Sequence, residues 1–206
     1  MNVARVAARA PMRTVRPKDL RDVTANPHAT AGRLVAAGEL LRLSHGYFVA
    51  VPDDAPVGWN PTIEAAALGI GAAVYGPQNA ILMGVSAARV HHAIPRAIGA
   101  AVVAVPEQHR PVRLDRGGTV TFVKRDTDGL EAELMRLDTG RGLVTTPEQT
   151  VLDLVKRPDL GGVPEETQQA ILNLASTIDL DAVATLARAQ HAPAALARLR
   201  KIMAPA

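Results

Sequence analysis

Residues 16–51 read RPKDLRDVTANPHATAGRLVAAGELLRLSHGYFVAV, and this stretch decides the fold of the N-terminal part. The pattern predicts a short helix over 17–23 and a turn at Thr24–Asn26. Asn26-Pro27 then opens a second helix over 27–37, which stops at Gly38. Two brief apolar strands flank Ser44-His45-Gly46. Helix, turn, helix and β-ribbon in this order is the pattern of a winged helix-turn-helix, which lays its second helix in the DNA major groove.

Outward from this stretch, residues 2–10 read as a short Ala/Arg helix. Val3, Val6 and Ala7 share one face, with Arg5 and Arg9 on another. On the other side, Asp53-Asp54-Ala55-Pro56-Val57-Gly58-Trp59-Asn60-Pro61 is a Pro/Gly/Asp-rich joint. The expected organisation is a DNA-binding domain over 1–57 and a second domain over 58–206.

The second part opens with helical stretches at 61–73 and 77–93, the first started by Asn60 before Pro61. Strands are expected at Ala100–Val105, Val120–Lys124 and Glu133–Leu137, with Arg116-Gly117-Gly118 as a turn between the first two. Thr146-Pro147-Glu148-Gln149 is a capping box, launching a helix that buries Val151, Leu152 and Val155 and ends at Arg157-Pro158. Helices near 164–176, 180–190 and 193–203 finish the chain. The fold class is therefore α+β: a winged helix-turn-helix, then a mixed domain with a short-stranded sheet and C-terminal helices.

Charge supports this division. The net charge of the 206-residue chain is only +3, yet residues 1–50 hold eight Arg/Lys against three Asp/Glu, while the remainder holds fifteen against seventeen. A basic head on a mildly acidic body fits a nucleic-acid partner at one end. The absence of cysteine excludes disulfides, thiol catalysis and thiolate metal sites. Arg5 and Arg9 are not followed by an apolar segment, so no secretory signal is expected. Ala65–Tyr75 is too short to span a bilayer, and the expected location is the cytoplasm.

Candidate DNA contacts follow from helical geometry. With Leu34 at the centre of the buried face of 27–37, His28, Ala29, Gly32 and Ala36 turn outward and Arg33 lies at the flank. Arg33 has the chemistry for a bidentate contact to guanine, and His28 for a phosphate or base edge. Thr30 stands in the first helical turn. Arg42 on the first wing strand and His45 at the wing tip suit backbone or minor-groove contact. Arg13, Arg16 and Lys18 precede or begin the helix before the turn, where phosphate contact is the usual assignment.

Other motifs read as structure. His91-His92 has no ligand partner at helical spacing, Gly69-x-Gly71 lies within a helix, and Asp126-x-Asp128-Gly129 lacks the later oxygen ligands of a calcium loop. No nucleophile–base set, phosphate loop or paired carboxylate stands out, so neither an enzyme nor a cofactor or metal is expected. Five aromatic residues are too few for stacking on single strands.

The layout resembles the AbiEi-type antitoxins of bacterial type IV, or abortive-infection, toxin–antitoxin systems. The matching pieces are Gly32-Arg33-Leu34-Val35-Ala36-Ala37-Gly38-Glu39-Leu40 leading to Gly46-Tyr47-Phe48, then Met83-Gly84-Val85 through Val90-His91-His92-Ala93-Ile94-Pro95. The third is Leu143-Val144-Thr145-Thr146-Pro147-Glu148-Gln149-Thr150-Val151-Leu152-Asp153-Leu154, which resembles the family's strand-to-helix junction. The resemblance implies a bifunctional regulator. Its winged domain would bind inverted repeats at its own promoter, and its second domain would counter a nucleotidyltransferase-like toxin encoded nearby. Carried onto this chain, it favours Arg16, Lys18, His28, Arg33, Arg42 and His45 as DNA contacts, and it supplies no catalytic motif. The competing expectation is a stand-alone winged-helix regulator whose second domain senses a ligand or dimerises.

Overall fold

A computed structural model describes residues 2–204. The chain is α+β, with helices on both faces of a central mixed sheet. It begins with α1 (Val3–Arg9), capped by the Asn2 side chain, which accepts from the Ala4 amide at 2.9 Å. A 3-10 turn at Pro11–Arg13 leads into β1 (Thr14–Val15). The helix expected over 17–23 is only a 3-10 turn at Pro17–Leu20. Asp19 closes that turn on itself by accepting from the Arg16 amide at 2.9 Å. Beyond it, Asp22, Val23 and Thr24 are weak helix formers, and their run of turns ends the element early.

The next helix forms as expected. In α2 (Pro27–Ala36), the Asn26 side chain accepts from the Ala29 amide at 3.2 Å, Pro27 occupies the first position, and Gly38 follows at φ +76°. β2 (Leu40–Ser44) and β3 (Tyr47–Ala50) then form an antiparallel hairpin. β1 joins it to give a three-stranded sheet in the order β1-β3-β2. A small cluster of Val3, Ala7, Val15, Leu20, Ala31, Leu40, Phe48 and Ala50 holds these elements together.

After the irregular segment 51–62, α3 (Ile63–Tyr75) starts two residues later than Asn60-Pro61 suggested. Thr62 is its cap, held by Asp138, whose oxygens accept from the Thr62 amide and hydroxyl at 2.6 and 2.8 Å. Asn60 instead donates to the Gly58 carbonyl at 2.9 Å. The helix expected over 77–93 is replaced by β4 (Ile81–Leu82) and the shorter α4 (Gly84–Val90). A short apolar run gives no periodicity to separate strand from helix, and here sheet pairing wins. β4 pairs with β5 (Ala100–Val105) on one side and with β9 (Gly140–Thr145) on the other.

β6 (Val112–Arg113), β7 (Thr119–Lys124) and β8 (Ala132–Leu137) complete a six-stranded sheet in the order β6-β7-β5-β4-β9-β8. Strand alternation feeds two cores. Ile81, Val102 and Ala104 face α4, α5 (Pro147–Lys156), α6 (Pro164–Ala175), α7 (Leu180–Ala189) and α8 (Pro193–Met203). Leu82, Val103 and Val105 face α3 together with Met12, Leu43 and Val49. This second cluster crosses the joint at 53–61, so the N-terminal elements and α3 share one core.

Glycine explains how closely they pack. A Cβ at Gly69 would collide with Thr14, and one at Gly71 would come within 3.0 Å of Ala80 Cβ. Gly69-x-Gly71 is thus a packing device. Thr146 caps α5 by accepting from the Gln149 amide at 3.3 Å. The return half of the expected capping box does not form, because the Gln149 side chain pairs with Gln190 after α7 and the Thr146 amide donates to the Glu131 carbonyl at 3.1 Å.

Candidate nucleic-acid interface

The outward face of α2 is built by subtraction. Ala31 is its one fully buried residue, Thr30, Leu34 and Val35 are half-buried, and His28, Ala29, Gly32, Arg33 and Ala36 are exposed. This is the rotation expected from a helix centred on Leu34. Thr30 ties the face down. Its hydroxyl lies 3.0 Å from the Thr24 hydroxyl and accepts from Arg33 Nη2 at 3.1 Å. Arg33 is thereby laid along the helix toward its N-terminus, with its remaining guanidinium donors free to meet an acceptor. Lys18 is also exposed.

The other cations divide by how far the fold has already used them. Arg13 sits at φ +53° and is half-buried. It donates through Nε to the Ala50 carbonyl at 3.0 Å and through Nη2 to the Val51 carbonyl at 3.1 Å. These bonds clip the exit of β3 to the start of β1. Arg13 thus has a structural role beside the phosphate role expected of it: two of its five guanidinium N–H groups are spent on backbone. Arg16 is partly used as well, forming a fork onto Asp19 at 3.0 and 2.9 Å with its side chain only 17% exposed. Burial raises the pKa of the Tyr47 hydroxyl above its ordinary value, while the nearby Arg16 charge pulls it back.

The β2–β3 hairpin turns tightly through His45 and Gly46, with Gly46 at φ +80°, and His45 is exposed at the tip. Arg42 is exposed and forms an ion pair with Asp115 at 2.5 Å. Nothing local in the sequence signals this partner, which lies beyond β6. Sequence reading thus brings His28, Thr30 and Arg33 together on α2, and Arg42 and His45 on the hairpin. It misses the groups that engage Arg13 and Arg42, because both pairings are long-range.

Elsewhere, the polar side chains organise structure. Glu64 is buried against Arg89, whose Nε donates to it at 2.8 Å. Arg89 also donates to the Ile94 carbonyl at 3.4 Å and to the Arg96 carbonyl, fixing the loop after α4. His91 Nε2 lies 2.7 Å from the Thr145 carbonyl and His92 ends α4 at φ +60°, which gives the pair a helix-end role. Asp126-x-Asp128-Gly129 forms a turn in which the Leu130 amide donates to the Thr127 carbonyl at 3.4 Å. Among the described residues, no three His, Asp or Glu side chains gather as metal ligands would, and no helix is long and apolar enough to cross a membrane.

The fold is similar to that of the Rv2827c protein from Mycobacterium tuberculosis, seen in its crystal structure. The TM-score is 0.57, with 18% sequence identity over 99% of this chain and 81% of that one. The likeness is one of fold. No protein-family model matches the chain, and no curated protein matches it.

Proposed function

We propose that this chain is a DNA-binding antitoxin of the AbiEi type. In this reading residues 1–57 form a winged helix-turn-helix that binds inverted repeats in its own promoter. Residues 58–206 counter a nucleotidyltransferase-like toxin in the bacterial cytoplasm. The observation that carries the DNA half is the exposed face of α2, where small residues surround His28 and Arg33 beside a hairpin presenting His45 and the Asp115-paired Arg42. A helix that keeps so narrow an apolar face, with Arg33 and His28 on its open side, has the shape and hydrogen-bonding groups to enter a major groove. Small side chains at Ala29, Gly32 and Ala36 favour close approach. The toxin half rests on the order of the three resembling segments from Gly32 to Leu154.

Fluorescence anisotropy with duplexes from the region upstream of the gene tests the DNA half. Binding should weaken steeply as salt rises, and Arg33→Ala should cost about 1–3 kcal/mol at the matched site while relaxing base preference. Binding that ignores salt, or no binding at low salt, would overturn it. Growth of cells expressing the neighbouring gene product tests the toxin half. Because the α3 core reaches Met12, Leu43 and Val49, removing the head would strip a buried surface. The informative variant is therefore full-length Arg33→Ala, which should lose promoter repression and keep rescue. Toxicity without rescue by the unaltered chain would leave a DNA-binding regulator with no antitoxin role.

A further inference from the structure

β2 is an edge strand of the head sheet, and the turn between β6 and β7 bonds to its open side at Leu43 and Ser44, near the hairpin tip. A bulge makes this possible. Arg42 pairs with Phe48 and Ser44 with Tyr47, leaving Leu43 without a register partner in β3. Leu43 turns its side chain into the cluster shared with α3 and Leu114, and its carbonyl accepts from the Asp115 amide at 2.9 Å. The Ser44 hydroxyl donates to the Arg113 carbonyl at 2.7 Å, and Arg42 pairs with Asp115.

The β6–β7 turn is itself tightly formed. The Leu114 amide donates to the Gly118 carbonyl at 3.0 Å, and Gly117 and Gly118 sit at φ +99° and +87°. A Cβ at Gly118 would run into Ile63 and come within 3.1 Å of the Gly99 carbonyl oxygen. Two hairpin tips are therefore stapled side by side. Arg113 and Arg116 are exposed on the second of them. Across residues 40–47 and 112–119, Asp115 is the one acidic residue, and its charge is already matched by Arg42.

We propose that the wing is double. The β6–β7 hairpin forms its second half, and Arg113 and Arg116 contact backbone phosphates of the duplex that α2 reads. This rests on the DNA-binding reading above and extends the binding surface beyond residue 57. The Arg42–Asp115 pair fixes the spacing of the two tips and leaves the net positive charge to Arg113 and Arg116. Contacts of this kind position a protein on DNA and carry no base preference.

The test is anisotropy of the full chain on an upstream duplex and on a mixed-sequence duplex, each over a salt series. The Arg113→Ala/Arg116→Ala variant should weaken binding equally on both duplexes. It should also lower the slope of log affinity against log salt by about 1.8, or about 0.9 for each phosphate that is no longer neutralised. Arg113→Lys/Arg116→Lys should restore most of the slope. The Arg113 carbonyl, not its side chain, holds Ser44, so an unchanged melting curve is expected of both variants. Arg200→Ala/Lys201→Ala, on α8 among α5–α7, removes the same two charges and should leave the slope alone.

If the unaltered chain binds and Arg33→Ala weakens the upstream duplex selectively, but the double alanine variant keeps its slope, the double wing fails and the DNA reading stands. An equal loss from Arg200→Ala/Lys201→Ala also overturns it, since any cation would then serve. If the unaltered chain binds neither duplex at low salt, both readings fall together.

Discussion

α2 and α5 begin alike and end in opposite environments. Each is a ten-residue helix with Pro at its first position and a side chain capping its N-terminus, Asn26 in one and Thr146 in the other. In α5 every residue from Gln149 to Val155 is buried, whereas α2 buries Ala31 alone. The start signals shared by these two helices mark where each begins and say nothing of what it is for. The difference lies in side-chain size and in what surrounds the helix. α5 carries Val151, Leu152, Leu154 and Val155 into the core lined by α4 and α6–α8, while α2 offers small residues, His28 and Arg33 to solvent. One helix is an organiser of the core. The other is held just firmly enough to present a face.

The largest expected effect breaks the α5 side. Asp153 is almost wholly buried and accepts from Arg125 Nη1 at 3.0 Å, while Arg125 also donates to Gln190 at 3.2 Å. Asp153 Oδ2 has no hydrogen-bond partner. Burial pushes the Asp153 carboxyl above its ordinary pKa, and Arg125, Gln149 and Lys156 only partly oppose this. Arg125→Ala strands the acid in the core and should cost about 3–5 kcal/mol in urea denaturation near neutral pH. The pH dependence has a defined sign. With its folded pKa above the unfolded one, Asp153 binds a proton more tightly in the native state. It therefore lowers stability as pH rises through the folded value. Removing Arg125 raises the folded value further, so the stability gap between variant and unaltered chain should narrow as pH falls. A gap that stays constant with pH would mean that Asp153 is not the group left stranded.

A matched pair of truncations sharpens the comparison at smaller magnitude. Leu152→Ala, at 1% exposure, should cost about 2–5 kcal/mol through lost burial and the cavity left behind. Leu34→Ala, on the half-buried face of α2, removes the same atoms from a site where solvent can fill part of the gap, and should cost about half as much or less. Chemical denaturation of both variants checks this. Equal losses would mean that α2 is as deeply integrated as α5, and its open face would need another explanation.

The same contrast explains what the sequence makes legible. Elements marked by their own residues are readable: α2 by Asn26, Pro27 and Gly38, α5 by Thr146 and Pro147, and the hairpin by the turn residues around Gly46. So is the outward rotation of His28 and Arg33, which depends only on helical period. What escapes depends on distant partners. Thr62, not Asn60, caps α3 because Asp138 reaches it from β8's far end. Ile81–Leu82 becomes a strand because β5 and β9 flank it. Arg13 looks like a free cation until the chain brings the Ala50 and Val51 carbonyls to it, and Arg42 until Asp115 arrives. A charge read from sequence is only available for a ligand after the fold has taken its share.

The smallest effect expected on stability bears most directly on function. Gly32 lies on the open face of α2, where an added Cβ would have nothing within 4 Å. Gly32→Ala should therefore stabilise the helix by about 0.5–1 kcal/mol, since alanine is favoured over glycine in a helix interior. The contrast with Gly69 on α3 is complete, because there the same methyl would strike Thr14. If α2 enters a groove with its small-residue face, the methyl that helps the free protein stands between the backbone and the duplex. The variant should then melt at a higher temperature and bind the upstream duplex several-fold more weakly. A gain in stability with unchanged affinity would show that this face of α2 keeps its distance from DNA. Arg33 on the helix flank and the exposed groups of the hairpins would then have to carry binding by themselves.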